Sequence, residues 1–118
     1  MNIEQYYEYC MALPGVEETF PFDQNTLVFK VMGKMFALTD VDEFSGINLK
    51  CDPVKAIELR AEYEEIQPGY HMSKKHWNTI NPNGRLDDNH IYSMIYDSYT
   101  LVIKGLPKKL QEQLKELS

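Results

Sequence analysis

Thr26-Leu27-Val28-Phe29-Lys30-Val31-Met32-Gly33-Lys34-Met35-Phe36-Ala37-Leu38 is the stretch that decides the fold. Leu27, Phe29 and Val31 fall on one side of an extended chain and Thr26, Val28 and Lys30 on the other, the two-residue period of a strand. Gly33-Lys34 reads as a two-residue turn, with glycine first as a type II′ hairpin requires, and Lys34 to Leu38 returns beside the first strand. Working outward, a short Phe20-Pro21-Phe22 segment precedes the hairpin. An acidic loop (Asp40, Asp42, Glu43) follows it, and then a further strand with Ile47, Leu49 and Cys51 inward and Asn48 and Lys50 outward. These pieces predict an antiparallel meander.

Helical periods flank it. Asn2 and Gln5 have the spacing of a capping box, and Ile3, Tyr6, Tyr7, Cys10 and Leu13 make an apolar stripe over about residues 2 to 13, stopped by Pro14-Gly15. Asp52 followed by Pro53 is a cap with proline at the first helical position; Val54, Ile57 and Ala61 continue the stripe as far as the acidic run 62 to 65. Pro68-Gly69 turns the chain, and a last strand over about 76 to 80 alternates His76, Asn78 and Ile80 with Trp77 and Thr79 before the turn residues 81 to 84. Asp87 caps a long helix striped by Ile91, Met94, Ile95, Ser98, Tyr99, Val102 and Ile103. Gly105 and Pro107 break it ahead of a short terminal helix carrying Leu110, Leu114 and Leu117. The order α-β-β-β-β-α-β-α-α predicts one α+β domain over residues 1–118, a mainly antiparallel sheet with helices packed on one face.

The chain has 118 residues, enough to bury a core without disulfides or a structural metal. Twelve basic and eighteen acidic residues give a net charge of -6, which disfavours bulk attraction to nucleic acid. The charge is uneven: residues 1 to 66 carry five basic and thirteen acidic side chains, residues 67 to 118 seven and five. From Ile66 to Leu86 there is no acid, but there are Lys74, Lys75 and Arg85 with two histidines, and Ser98 to Gln111 holds Lys104, Lys108 and Lys109 without an acid. A polyanion would bind in this half. Cys10 and Cys51 form no CxxC and no regular framework, so free thiols are expected. The first residues do not resemble a signal peptide and no apolar run reaches the length of a membrane span, so the expected location is cytoplasmic.

Most catalytic chemistries fail on spacing. His71, His76 and His90 have no clustered cysteines or carboxylates beside them, and a metal site is not expected. Cys51 precedes a helix start, where a thiolate would feel the dipole, yet it continues the inward alternation of Ile47 and Leu49 and reads better as a packed thiol. Ser98 has no nucleophile elbow, and no glycine-rich phosphate loop offers a nucleotide cofactor a seat. What remains is Tyr70-His71-Met72-Ser73-Lys74-Lys75-His76-Trp77-Asn78-Thr79, which mixes cations, aromatic rings and hydrogen-bonding side chains, the groups that meet phosphates and bases. A plainer reading stands beside it, with Trp77 filling the core and the lysines keeping a loop soluble. Lys30, Lys34 and Lys50 add a second basic strip on the meander.

Leu13-Pro14-Gly15-Val16-Glu17-Glu18, Pro21-Phe22, Phe29-Lys30-Val31, Gly33-Lys34-Met35-Phe36-Ala37, Leu49-Lys50-Cys51, Pro68-Gly69-Tyr70-His71, Lys74-Lys75-His76-Trp77-Asn78-Thr79, Asp97-Ser98-Tyr99 and Leu101-Val102 together resemble the MmcQ/YjbR family of small bacterial proteins. The resemblance runs over nearly the whole chain in the family's order, and the block at 74 to 79 is its most specific part. It implies a CyaY-like α+β fold, described as a double-wing arrangement whose strands and loops grip DNA. Carried onto this sequence, the implied DNA contacts are Lys34, Lys50, Lys74, Lys75, His76, Trp77 and Asn78; the reading of residues 70 to 85 adds Arg85 as a phosphate contact. The leading expectation is a cofactor-free DNA-binding or DNA-associated domain. The alternative is a non-catalytic module for a protein or a small anionic ligand, and an enzyme ranks third.

Overall fold

The computed structural model describes residues 1–118. The elements are α1 (Ile3–Ala12), β1 (Val16–Thr19), β2 (Thr26–Val31), β3 (Lys34–Asp40), β4 (Ile47–Lys50), α2 (Pro53–Glu62), β5 (Ile66–Pro68), β6 (Trp77–Ile80), α3 (Asp88–Lys104) and α4 (Lys108–Glu116). All neighbouring strands are antiparallel, in the order β1-β2-β3-β4-β6-β5. The fold is α+β with the helices on one side of the sheet, as the element order predicts.

The helix boundaries follow from local chemistry. Asn2 accepts from the Gln5 amide while the Gln5 side chain accepts from the Asn2 amide, closing the capping box. Asp52 accepts from the amides of Val54 and Lys55 ahead of Pro53, and Asp87 accepts from Asn89. Each cap satisfies amides that the first helical turn leaves without a partner.

One core lies between sheet and helices. Tyr6 and Cys10 from α1, and Ile91, Ile95, Tyr99 and Val102 from α3, pack on Leu27, Phe29, Val31, Ala37, Ile47, Leu49, Ile66 and Ile80 of the strands. A bulge sharpens the fit. The register passes from Phe29 opposite Ala37 to Lys30 opposite Met35, leaving Phe36 as the extra residue. Phe36 and Ala37 are therefore both buried on the helix side, with the Phe36 ring against Phe29 and Tyr99. Ser98, fully buried on α3, donates to the Phe36 carbonyl at 2.6 Å and accepts from the Lys50 amide at 2.9 Å. One hydroxyl thus ties the long helix to β3 and to the end of β4. Gly15, at φ +75, lets α4 close over the hairpin end, because a Cβ there would meet Leu114 Cδ1 at 2.5 Å.

Four details depart from the sequence reading. The hairpin turn is Met32-Gly33, with φ of 50° and 83°, a type I′ turn one residue earlier than Gly33-Lys34. A strand over Val16–Thr19, for which the sequence reading gave no residues, precedes the Phe20-Pro21-Phe22 segment, and the last begins at Trp77, His76 being part of a turn. The strand β5, three residues long, is absent from the predicted order. Ile66 secures it by filling the core, and Pro68 ends it at the sheet edge, where a missing amide costs nothing.

Replacing Ser98 by alanine leaves the Lys50 amide without its buried partner. Urea denaturation of Ser98→Ala is expected to show a loss of about 1–3 kcal/mol, the usual cost of an orphaned buried donor, with the folded spectrum unchanged.

Candidate nucleic-acid interface

Register defines what the sheet presents on its helix-free side. Val28 lies opposite Leu38, Leu38 opposite Asn48, Asn48 opposite Thr79 and Thr79 opposite Gln67, a row running across five strands. One step along the strands, Lys30 faces Met35 and Lys50 faces Trp77 on the same side. Val28, Leu38 and Trp77 form a small second core there, flanked by Met35 and Met72. This explains why Val28, assigned by alternation to the outer face, is fully buried.

Residues 69 to 76 fold back over this face and are tied down at several points. The Gly69 amide donates to the Trp77 carbonyl at 2.8 Å, and the Tyr70 amide to Thr79 Oγ1 at 2.9 Å. Thr79 in turn donates to the Asn48 side chain. The close return requires glycine at 69, since a Cβ would lie 2.7 Å from Trp77 Cβ and 2.9 Å from its carbonyl oxygen. Arg60, in the last turn of α2, completes the attachment. Its Nε donates to Asn78 Oδ1 at 2.7 Å, and its Nη2 to the carbonyls of Trp77 (3.2 Å) and Lys74. One planar guanidinium therefore fixes both the start of β6 and the turn before it.

These contacts sort the residues proposed from sequence. Lys74, Lys75 and His76 are exposed on the turn, and Lys50 is half-buried beside Trp77. Two assignments need correction on burial. Asn78 is 2% exposed and lies opposite Leu49, on the helix side, so its amide serves Arg60 and the Ala56 carbonyl rather than a base. Trp77 is 8% exposed and packed on Val28 and Leu38, which removes its ring from any stacking platform. Two more lie elsewhere. Lys34 pairs with Val31 at the tip of the hairpin, its side chain starting on the helix side. Arg85 follows the far end of β6, and its amide donates to the Glu65 carboxylate, whose pKa that hydrogen bond and the neighbouring guanidinium lower.

Lys30, absent from the proposed contacts, joins Lys50 on the helix-free face, though Glu17 of the edge strand sits opposite it. The structure holds two ion pairs, the N-terminus with Asp88 and Lys55 with Asp97. None of Lys30, Lys50, Lys74 or Lys75 is neutralised by direct pairing. The residue that sequence reasoning missed is Arg60. Its only signal there was a lone cation between Glu58 and Glu62, and a helix-end arginine ordinarily reads as a solvated charge.

The opposite end of the same face is acidic. A cleft of about 760 Å³ opens between the 70–72 segment and the 22–23 loop, with Asp23, Asp40 and Glu43 among its lining residues. A smaller cavity of about 190 Å³ lies between β4, α2 and α3 and includes Cys51. Burial raises the pKa of Cys51 against the opposing influence of Lys55, and raises that of Cys10 much further, so both thiols are protonated near neutrality. No three histidine, cysteine or carboxylate side chains gather closely enough to hold a metal ion, and no helix is long and apolar enough to cross a membrane.

Six antiparallel strands with four helices on one face and a strapped, charged second face define the class: a small α+β domain whose exposed sheet face carries its polar surface chemistry. The chain belongs to the YjbR family, whose model matches residues 11–101. It is 40% identical over 109 residues to the uncharacterized protein YbdF of Escherichia coli O157:H7, covering 90% of this chain and 88% of that one. It is 32% identical to the uncharacterized protein YjbR of Escherichia coli K12 over 118 residues, 99% of this chain and all of the other. The crystal structure of Deinococcus radiodurans protein DR2400, assigned to the domain DUF419, superposes with a TM-score of 0.89 at 39% identity, over 97% of this chain and 88% of that one.

Replacing Arg60 by methionine keeps the length of the side chain and removes its donors. Amide hydrogen exchange of Arg60→Met is expected to speed up selectively over residues 69 to 77 relative to α1 and α3, with a stability loss of about 2–3 kcal/mol for hydrogen bonds made by a charged group.

Proposed function

We propose that this protein is a DNA-associated domain that meets the phosphate backbone with the basic end of its helix-free sheet face. The observation that carries this reading is the grouping on that face of Lys30 and Lys50 with the exposed Lys74-Lys75-His76 turn, none of the four lysines in an ion pair. Lysine ammonium groups act as point charges toward phosphate, so the contact positions the duplex without reading its sequence. With Trp77 and Asn78 withdrawn into the fold, neither a stacking ring nor a base-reading amide comes from the 77–78 pair. The reading is therefore of backbone contact.

Magnitude sets the regime. Four phosphate contacts give a slope of about -3.6 in log affinity against log salt, so binding strong enough to see at low salt fades steeply toward physiological ionic strength. The net charge of -6 lowers the affinity by repelling the duplex at long range, most strongly at low salt where screening is weakest. Arg60 supports the reading indirectly, because a turn anchored through the Lys74 carbonyl presents its lysines with less entropy left to lose.

Fluorescence anisotropy with a short labelled duplex tests this. The native protein is expected to bind at low salt with that slope, Lys74→Glu/Lys75→Glu to lose binding while folded, and Lys108→Glu/Lys109→Glu on α4 to keep most of it. Absence of binding at low salt, or equal loss in both variants, would reject the proposal and turn the search to acidic protein segments and small anions.

A further inference from the structure

We propose that the cleft at the other end of the same sheet face binds a small organic cation carrying ammonium groups. The site is independent of the lysine patch and does not require DNA binding. Its volume of about 760 Å³ is in the range of cavities that hold a small organic ligand. Its rim carries two of the most exposed aromatic side chains in the protein, Phe22 at 64% and Tyr70 at 68%. The Tyr70 ring lies with its centroid 4.1 Å from that of His71, which also lines the cleft. Exposed rings on a concave surface cost solvation unless something covers them, and the face of an aromatic ring attracts a cation.

The polar lining selects the sign of charge. Asp23, Asp40 and Glu43 contribute carboxylates, Asn48, Gln67 and Thr79 contribute neutral polar groups, and no lysine or arginine lines the cleft. Two of the carboxylates are held in place. Asp23 accepts from the amides of Asn25 and Thr26 and from the Thr26 hydroxyl, which lowers its pKa, and Asp40 accepts from the amides of Asp42 and Glu43. The Glu43 carboxylate has neither a hydrogen bond nor an ion pair within the protein and is free to take a ligand. The three do not gather into a metal-binding group, so their charge is spread along the cleft. A spread of negative charge between aromatic rims suits an extended amine better than a compact metal ion, and it disfavours an anionic ligand outright.

The test is a spermidine titration followed by amide chemical shifts in the native protein, in Glu43→Gln and in Tyr70→Ala, with cellobiose as a neutral ligand that also uses aromatic and carboxylate surfaces. Saturable shifts centred on Phe22, Asp40, Glu43, Tyr70 and His71 are expected, with affinity about three- to fivefold weaker in each variant, the effect of one exposed charge or one cation–aromatic contact. Both variants change exposed side chains, and their amide spectra report whether the fold is kept. Three outcomes would overturn the proposal. These are no saturation in the millimolar range, shifts spread equally over acidic residues outside the cleft such as Glu4 and Glu8, or saturable binding of cellobiose with none of spermidine. The Lys74→Glu/Lys75→Glu protein should bind spermidine no more weakly than the native one, which separates failure here from failure of the DNA reading.

Discussion

The guanidinium of Arg60 links the two sides of the sheet. It leaves α2 on the helix side, takes the side chain of Asn78 and the carbonyl of Trp77 at the start of β6, and reaches the Lys74 carbonyl in the segment that returns over the other face. Without it, Asn78 would hold a buried amide oxygen with no donor, and the turn carrying Lys74, Lys75 and His76 would lose its tie to α2 while keeping the bond from the Cys51 amide to the His76 carbonyl. An arginine suits this position because its donors are fixed in one plane and can serve three acceptors at once; a lysine would offer a single point. The start of β6 and the carbonyl side of the turn that carries Lys74 are therefore fixed by one group.

The helix-free face is divided along the strand direction. Lys30, Lys50 and the 74–76 turn occupy one end, while Asp23, Asp40 and Glu43 line the cleft at the other. The strand register forces this polarity, since the rows through Lys50 and Trp77 and through Thr26 and Asp40 lie at opposite ends of the sheet. A duplex lying along the whole face would meet carboxylates at one end, so phosphate contact is confined to the other. The net charge of -6 leaves the basic end as a local exception on an acidic surface, and local exceptions act only within about a Debye length.

Much of the fold was legible because local chemistry fixes it. The capping box at Asn2, the Asp52-Pro53 start, the Asp87 cap and the alternation from Thr26 to Val31 all correspond to observed elements. What escaped depends on register or on distant partners. β5 is too short to show a period, and Val28 is buried only because Leu38 and Trp77 arrive from other strands. Asn78 shares the parity of Ile80, so its inward direction was readable from the same alternation that placed Ile80 in the core. Composition drew attention instead to the polar block around it. Arg85 stands close to Lys75 in sequence but beyond the far end of β6, and only the topology separates them.

The most direct measurement is an amide chemical-shift map of the protein with a short DNA duplex at low salt. Shifts concentrated at Lys30, Lys50 and residues 74 to 76 are expected, with Phe22, Asp40 and Glu43 unmoved. Shifts centred on α3 and α4, or on the acidic cleft, would contradict the assignment of the basic end as the contact surface.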